Sequence, residues 1–373
     1  MNNRQRMQAI MHYEAYDAMP VVAFGFWGET LQKWVAEGHL TQEEIEGWGD
    51  NNDKDAAIMA KLGFDFNWGG GIGVNNFMSP CFESEVLETL PDGSVISRDG
   101  MGLIQRTKPG VISIPAQVGT TLTDRKAWEE LYLPKFAMRA DRVDIEGIKR
   151  QYAEIKSKGL PVYLHLGSLY GNVRSMLGVE NLAYLAVDDE DLYVEIINTV
   201  AGLCYDCVKM ALEGSGLTFD YGHFWEDICF KNGPLVKPSV FRELVGPWYK
   251  KLTDLMRAHG TDIVSLDCDG KIDELVPVWL ENGVNTMFPI EVGTWNASIA
   301  PWREKYGREL RGVGGMDKRV FAKDRAAIDK EIERLKPLID LGGYIPCPDH
   351  RIAPDAEWDN VRYYCDRFRK EFT

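Results

Sequence analysis

The sequence contains no uninterrupted apolar stretch near the roughly 18 residues that a membrane-spanning helix requires. Its first residues, Met1 to Arg6, are polar, and the apolar segment of a secretion signal does not follow them. These absences argue against a membrane protein and against a secreted one. We therefore expect a cytoplasmic protein.

Basic residues are also fewer than acidic ones. The 373 residues include 42 lysines and arginines but 57 aspartates and glutamates, which gives a formal net charge of −15. Proteins that bind nucleic acid need a cationic face that displaces the counterions of the phosphate backbone. The charge balance therefore argues against nucleic acid as a partner.

Cysteine is infrequent, with seven residues dispersed along the chain. An odd, scattered set does not resemble a disulfide framework. Cys204 and Cys207 have the spacing of a redox pair, but they lie in a predicted helix without the preceding strand of such motifs. We expect reduced and mostly buried cysteines.

Linkers, low-complexity tracts and short repeats are missing as well. The glycine run Gly69-Gly70-Gly71 is not placed between a strand and a helix, as the phosphate loop of a dinucleotide site is. With 45% hydrophobic residues, the chain can bury a large core. We predict a single domain over residues 1–373.

From about residue 141, long amphipathic helices alternate with short apolar runs, a pattern typical of βαβ units and a parallel sheet. Further strands are predicted near residues 21 and 65. Eight strands in all favour an α/β (β/α)8 TIM barrel as the simplest closure. The six apolar runs lie at residues 161–166, 217–221, 262–266, 284–290, 309–314 and 343–346.

The first 140 residues form an elaborated N-terminal region. Residues 83–108 alternate around the turn signals Pro91-Asp92-Gly93 and Asp99-Gly100. This pattern predicts an antiparallel hairpin beside the barrel.

Ionisable residues follow five successive predicted strands, at the edge where such barrels place their chemistry. Any one cluster could be a solvated loop, but five in series favour a shared acidic pocket. The clusters are residues 223–227, residues 267–269, Glu291, Asp317 with Lys318, and residues 347–351.

Asp267 and Asp269 are the strongest metal candidates. Side chains alternate along a strand, so the two carboxylates point the same way. Both can ionise comfortably only beside a cation, and a divalent metal supplies one. Glu226 is a further ligand candidate, although it could instead cap the following segment.

Glu226, Glu291 and Asp317 are the candidate catalytic carboxylates. Partial burial would raise the pKa of Glu291 and suit it to acid–base chemistry, although a structural hydrogen bond would explain it equally well. For a flat apolar substrate, aromatic side chains at strand ends would form the walls of the site. The candidate substrate-binding residues are His165, His223, Trp225, Trp27 and Trp295.

Several segments of the last three fifths of the chain resemble the uroporphyrinogen decarboxylase superfamily. Residues 231–238, with Phe241 and Pro247, are similar to the loop and helix after its fifth strand. Gly314-Gly315-Met316-Asp317 resembles its Gly-Asn-x-Asp turn, and the segment from Gly342 resembles its last strand. The superfamily's barrel hosts the porphyrin decarboxylase and the zinc-dependent corrinoid methyltransferases.

The resemblance favours the methyltransferase and O-demethylase branch. Porphyrin decarboxylases carry an arginine-rich stretch after the first strand, which can pair with the carboxylates of a tetrapyrrole. Residues 25–30 occupy that place here and contain no arginine.

The methyltransferases of this family hold zinc with a His-x-Cys pair on strand six and a cysteine near the last strand. This chain has Asp267-Cys268-Asp269 at the first place, so two hard oxygen donors replace the nitrogen and sulfur pair. Cys347 and His350 both lie in the region of the second cysteine, and His350 is the preferred candidate. The resemblance thus implies a divalent metal, zinc first, on Asp267, Asp269, His350 and Glu226.

The expected function is metal-dependent transfer of a methyl group from a small methoxylated aromatic or amine donor to a corrinoid. A separate protein would carry the corrinoid, because no corrinoid-binding module is visible in this chain. Two alternatives stay open: a metal-independent decarboxylase or lyase acting on another acid, and a non-catalytic ligand-binding barrel. Homodimer formation is open as well.

Overall fold

The structure of the protein, a computed structural model, describes residues 1–108 and 115–373. Within these ranges, the strands are β1 (Val22–Ala23), β2 (Phe66–Asn67), β3 (Glu85–Thr89), β4 (Val95–Arg98), β5 (Leu103–Thr107), β6 (Ala116–Thr120), β7 (Tyr163–Gly167), β8 (Tyr221–Trp225), β9 (Cys229–Phe230), β10 (Gly233–Pro234), β11 (Val264–Asp267), β12 (Thr286–Ile290), β13 (Arg311–Met316) and β14 (Tyr344–Pro348).

The helices connect and cover these strands. They are α1 (Asn3–Met11), α2 (Gly28–Ala36), α3 (Gln42–Ile45), α4 (Asp53–Leu62), α5 (Arg125–Ala127), α6 (Ile145–Ser157), α7 (Gly171–Leu177), α8 (Val179–Asp188), α9 (Glu190–Ser215), α10 (Pro238–Leu244), α11 (Gly246–Ala258), α12 (Val276–Glu281), α13 (Val292–Trp295), α14 (Ile299–Tyr306), α15 (Arg325–Ile339) and α16 (Trp358–Glu371). A π-helical turn (Trp128–Tyr132) and the 3-10 turns Leu133–Phe136, Ala140–Arg142, Gly307–Glu309 and Lys318–Ala322 complete the set.

Helix α9 shows how the local sequence sets these bounds. The Asp189 side chain accepts a backbone N–H of the first turn, and Gly216 ends the helix in the left-handed conformation. The apolar face of α9 packs against β7, α6 and α11. Cys204 and Cys207 lie buried on this face and donate to backbone carbonyls of a neighbouring loop. The prediction that this pair belongs to a buried helix face is confirmed.

Six parallel strands form one sheet in the order β14-β13-β12-β11-β8-β7. The predicted α/β fold with parallel strands is therefore confirmed. In the register between β8 and β11, Trp225 lies opposite Asp267. The sheet thus aligns two of the predicted site residues at its C-terminal edge.

Strands β1 and β2 form a separate parallel pair, so the expected eight strands do not appear as one sheet. Single bridges join this pair to both edge strands of the larger sheet. Phe26 is bridged to Ile352 after β14, and Ile72 is bridged to Leu164 of β7. The Ile352 N–H donates to the Gly25 carbonyl at 2.9 Å on the first side.

The predicted hairpin is part of a four-stranded antiparallel sheet in the order β3-β4-β5-β6. This region is larger than expected, because β6 adds a strand beyond residue 108. The Gln117 side chain of β6 accepts the Val179 N–H at 3.1 Å and thereby attaches the sheet to α8. The short, half-polar sequence of β6 gave no alternating signal.

The strand predicted at residues 217–221 is shifted in the structure to Tyr221–Trp225. Asp220 explains the shift, because its carboxylate accepts the Val162 N–H at 2.9 Å and pairs with Arg4. These bonds fix the entry to β8 at Asp220. His223 and Trp225 therefore lie within the strand, not after it.

The described cysteines are all free, and six of the seven are buried, while Cys81 is exposed. This agrees with the expectation of reduced cysteines. Within the described ranges, no helix combines the length and the apolar character that crossing a membrane demands.

Candidate metal centre and adjoining cavity

Three carboxylates converge at the C-terminal edge of the parallel sheet. They belong to Asp227, two residues past β8, to Asp267 at the end of β11, and to Asp269. One oxygen from each lies within 4.8 Å of the others. The two-residue spacing brings Asp267 and Asp269 to the same side, as the alternation of a strand predicts.

The cluster is electrostatically strained. Burial, followed by the charges of Asp227 and Asp269, raises the pKa of Asp267 well above its usual range. Burial, followed by the charge of Asp269, also raises the pKa of Asp227 to about 6. Within the described residues, neither Asp227 nor Asp267 forms an ion pair, and the buried Oδ1 of Asp269 has no hydrogen-bond partner. A bound cation would relieve this repulsion.

His350 joins the cluster from the loop after β14. Its Nε2 lies 3.0 Å from Oδ2 of Asp269. Of the two last-strand candidates, Cys347 is buried in β14, where its Sγ–H faces the Pro348 carbonyl. The three converging carboxylate oxygens fit a divalent cation such as Zn²⁺ or Mn²⁺, and the imidazole nitrogen in contact with Asp269 is a further donor beside them.

Trp27 covers His350. The two rings are stacked, with centroids 5.6 Å apart and planes 25° from parallel, and Phe24 meets the imidazole edge-on at 5.1 Å. Trp27 remains 40% exposed. The structure thus places this predicted substrate-binding residue against the histidine, where it holds the ring in position.

A cavity of about 170 Å³ adjoins Asp267. Three of the predicted substrate-binding residues line it: His165, His223 and Trp225. The other lining residues are Phe24, Asp50, Asn51, Asn67, Gly69, Tyr163, Asp267 and Arg351. A larger cleft of about 350 Å³ lies between α4 and α6, but none of the clustered carboxylates lines it.

The two cavity histidines are neutral at physiological pH. Burial lowers the pKa of His165 to about 4 and that of His223 well below its usual range. Nδ1 of His165 accepts the Gly167 N–H at 3.1 Å, so its proton resides on Nε2. Nδ1 of His223 is buried without a partner in the described part of the chain. The cavity wall therefore offers uncharged hydrogen-bonding groups beside aromatic faces.

Arg351 brings a positive charge to the cavity, but Asp50 already pairs with it. The two N–H···O contacts measure 2.5 and 2.7 Å. Such a bidentate pair leaves the guanidinium little capacity for a second anion. Asp50 was missed in the sequence because it follows no predicted strand.

Glu226 does not reach the metal cluster, so the structure does not bring it together with the other predicted metal ligands. Its carboxylate is buried and accepts the N–H groups of Leu169, Tyr170 and Gly171 at 2.8, 2.9 and 2.6 Å. The hydroxyls of Ser168 and Tyr249 donate to it as well. The physical reason is alternation: Trp225 faces the cavity, so the next side chain faces α7.

Asp317 and Trp295 are also not brought to the cavity or the cluster. Both oxygens of Asp317 accept from the Arg319 guanidinium at 2.8 Å, and its carboxylate caps the following 3-10 turn. The Trp295 ring packs on Trp302, with centroids 5.9 Å apart. Both predictions relied on nearness to a strand end, which does not fix the side chain's direction.

Glu291 lies beside the cluster and holds the loop that carries Asp269. It accepts the Gly270 N–H at 2.5 Å and the Thr294 hydroxyl at 2.7 Å. Burial, followed by the charge of Asp269, raises its pKa. Gly270 has a φ of +90°, and a Cβ there would lie 2.5 Å from the Cys229 carbonyl oxygen. The loop therefore requires glycine at this position.

Asp227 is the carboxylate of the cluster that the sequence did not single out. In the sequence it is one of several ionisable residues after a predicted strand, and the pattern favours its neighbour Glu226. Its φ of +49° is uncommon for a residue other than glycine. That conformation turns the carboxylate toward Asp269, whose N–H donates to it at 3.1 Å. No pattern in the sequence predicts such a turn.

The comparisons with known proteins yield structural similarities alone. No protein-family model matches this chain, and no curated protein does either. Among solved structures, a methyltransferase from Methanosarcina mazei is similar at a TM-score of 0.61, with 15% identity over 100% of this chain and 99% of that one. A protein assigned as a vitamin-B12-independent methionine synthase from Listeria monocytogenes has a TM-score of 0.42, with 13% identity over 95% and 99% of the two chains.

The similarity to the Methanosarcina protein shows a shared fold over the whole chain. At 15% identity, it does not transfer an activity. The shared fold is consistent with the resemblance to the uroporphyrinogen decarboxylase superfamily, and membership in that superfamily stays a prediction.

Proposed function

We propose that this protein is a metal-dependent methyltransferase, which moves a methyl group from a small donor to a corrinoid carried by a separate protein. The main support is the convergence of Asp227, Asp267 and Asp269, with His350 in contact with Asp269, next to a small aromatic-walled cavity. The fold shared with a methyltransferase is consistent with this assignment.

The proposal includes a closed barrel of the uroporphyrinogen decarboxylase type. The bridges from the β1–β2 pair to β7 and β14 would complete an eight-stranded ring. In such a barrel, the carboxylates and the cavity lie at the C-terminal mouth.

Asp227, Asp267, Asp269 and His350 would hold the divalent metal, with zinc as the first candidate. When bound, such a cation acts as a Lewis acid on the ether oxygen or amine nitrogen of the donor and makes that atom a better leaving group.

The chain's own residues bind and orient the donor. Phe24, Tyr163 and Trp225 present aromatic surfaces to the cavity, so a flat donor packs there. His223 lines the same cavity with its imidazole ring. Glu291 fixes the loop of Asp269 through Gly270, which keeps the ligand set in place.

Metal analysis combined with a methyl-transfer assay tests the proposal. We expect stoichiometric divalent metal in the purified protein, loss of transfer after chelation, and recovery when the metal is restored. Asp267→Asn should lose both metal and transfer, whereas Asp359→Asn, a change on the exposed side of α16, should keep both. Metal-free protein with undiminished methyl transfer would contradict the proposal.

A metal-independent lyase is the second candidate. The raised pKa values of Asp227 and Asp267 favour it, because protonated carboxyls can act as general acids. Release of carbon dioxide from an acid by chelated protein would support this alternative. A barrel that only binds a ligand would instead show no turnover with any methyl donor or acid.

A further inference from the structure

Three arginines lie against one tyrosine at the N-terminal edge of the parallel sheet. The guanidinium carbons of Arg303, Arg308 and Arg311 are 5.2, 4.7 and 5.4 Å from the centre of the Tyr13 ring. Arg303 belongs to α14, Arg308 to the 3-10 turn that follows, and Arg311 is the first residue of β13. Tyr13 comes from the loop after α1. Four segments of the chain therefore bring one aromatic ring and three positive charges together.

Contacts with the main chain hold this arginine cluster. The Tyr13 hydroxyl donates to the Arg308 carbonyl at 2.6 Å, and Nε of Arg311 donates to the Met11 carbonyl at 2.6 Å. Arg303 donates to two carbonyls of the loop before β14, at 2.9 and 2.7 Å. Tyr13 has a φ of +60°, a conformation that is costly for a bulky side chain. The fold thus keeps the ring and the three arginines together.

Within the described residues, no carboxylate pairs with this cluster. The Arg308 side chain forms neither an ion pair nor a hydrogen bond there, while Arg303 and Arg311 donate to backbone carbonyls alone. The buried Nε of Arg303 has no hydrogen-bond partner. In a chain with a formal net charge of −15, three neighbouring arginines without an acidic partner are unusual. The cluster therefore has positive charge and N–H donors available for an anion.

The charges of the cluster repel one another. Burial, as the largest cause, and the charges of Arg311 and Arg308 lower the pKa of Arg303, while Tyr13 acts in the opposite direction. A bound anion would relieve this repulsion. Arg308 is exposed, so such an anion can reach the cluster from solvent. Guanidinium groups bind phosphate through parallel N–H donors, and several of them together suit a doubly charged oxyanion.

We propose that Arg303, Arg308 and Arg311 form a binding site for the phosphate group of a small molecule. Arg308 offers its free N–H donors, whereas the other two mainly add positive charge, because backbone carbonyls already accept from them. The site lies at the opposite edge of the sheet from the candidate metal centre. It is independent of the proposed function, since neither the carboxylate cluster nor the adjoining cavity contributes a residue to it.

Calorimetric titration of the purified, chelated protein with inorganic phosphate tests the inference. Chelation removes any bound metal, which could itself bind phosphate, and chloride keeps the ionic strength constant. At about pH 8 the probe is doubly charged. We expect one phosphate per chain with a Kd of about 1 mM or tighter. Arg308→Gln should weaken the binding about tenfold or more, because it removes a charge and a pair of N–H donors.

Two further variants sharpen the result. Arg311→Gln should weaken phosphate binding at least about threefold through the loss of charge, and it decides the test if Arg308→Gln fails to fold. Arg362→Gln removes an exposed arginine of α16 that likewise has no ion pair in the described part of the chain, and it should leave the Kd unchanged.

A second titration, with glycerol 3-phosphate, distinguishes the two sources of a phosphate group. Tighter binding of this ester than of inorganic phosphate would assign the site to a phosphorylated metabolite, and equal binding would assign it to free phosphate. Both results support the inference.

The inference fails if phosphate shows no saturable binding, or if both cluster variants bind it as tightly as wild type does. A protein that binds no phosphate but changes from dimer to monomer in Arg308→Gln, measured by sedimentation, would also overturn it, because the arginines would then contact a second copy of the chain. Methyl transfer and metal content do not enter these measurements, so a failure of the proposed function leaves them separately readable.

Discussion

The carboxylates at the two ends of strand β8 differ in whether they have hydrogen-bonding and ion-pair partners. Before the strand, Asp220 accepts from Arg4, Gln8 and the Val162 N–H, so its oxygens have close partners. After the strand, Asp227 faces two other carboxylates and forms no ion pair with a described residue. A satisfied carboxylate supports the fold, whereas a crowded one is retained where a ligand completes it. This contrast is typical of parallel sheets, in which ligands bind outside the carboxyl ends of the strands.

The largest expected effect is on methyl transfer, and it comes from a change at the C-terminal end of β8. Asp227→Asn should lower methyl transfer about 10³-fold, because metal affinity and Lewis-acid activation depend on the ligand charge. The free energy of unfolding of the metal-free protein should stay within about 1 kcal/mol of wild type, since a repulsive charge is removed. Kinetic assays and denaturant titrations measure the two quantities. A large loss of stability in this variant would contradict the expectation that Asp227 serves the site and not the fold.

Glu226→Ala should produce the largest loss of stability, about 3–5 kcal/mol. The change leaves three buried N–H groups without their acceptor. Glu226→Gln, which retains an acceptor oxygen, should lose less. Urea titration measures both variants. Equal, small losses would mean that the carboxylate does not hold α7 to β8.

Asp220→Ala should lower the free energy of unfolding by about 2 kcal/mol, since the Val162 N–H and the Arg4 pair lose their acceptor. Its effect on methyl transfer should be less than about twofold, because Asp220 lies at the opposite edge from the cluster. Thermal unfolding and transfer assays measure the pair of effects. A loss of methyl transfer without a loss of stability would contradict the assignment of the site to the C-terminal end of β8.

Trp27→Leu should have the smallest effect. Loss of the stacked ring costs about 1 kcal/mol and frees the His350 imidazole to rotate. Metal affinity should therefore fall about three- to tenfold, within the lower range of changes next to a metal ligand. Competition with a chelating dye measures it. Unchanged affinity would show that the stack does not orient His350.

Period-two alternation accounts for what the sequence could predict. It put Asp267 and Asp269 on the same side of the chain, while the alternation of amphipathic helices with short apolar runs identified the parallel strands. The same rule, applied to β8, would have turned Glu226 away from Trp225, but the strand's bounds were placed four residues too early. The misplaced end of the predicted strand therefore led to a wrong expectation for the direction of the Glu226 side chain.

Long-range contacts account for the rest. Glu226 binds main-chain N–H groups at the start of α7, more than 50 residues earlier in the chain, and no local pattern connects them. The turn at Asp227 depends on a left-handed residue that the sequence does not mark. Asp317 is an acidic residue at the end of a strand, like Asp267, yet the side chain of Arg319 donates a hydrogen bond to its carboxylate. Which partner a carboxylate finds is decided by the tertiary structure.

The anchoring of Glu226 to main-chain N–H groups has a consequence for how this fold could diversify. Backbone donors are present whatever side chains residues 169 to 171 carry, so mutation of those side chains does not by itself remove the anchor. Position 225, whose side chain lines the cavity, can therefore change while the surrounding frame persists. Engineered variants that keep the glutamate can exchange this tryptophan for another side chain and so reshape the cavity at little cost in folding.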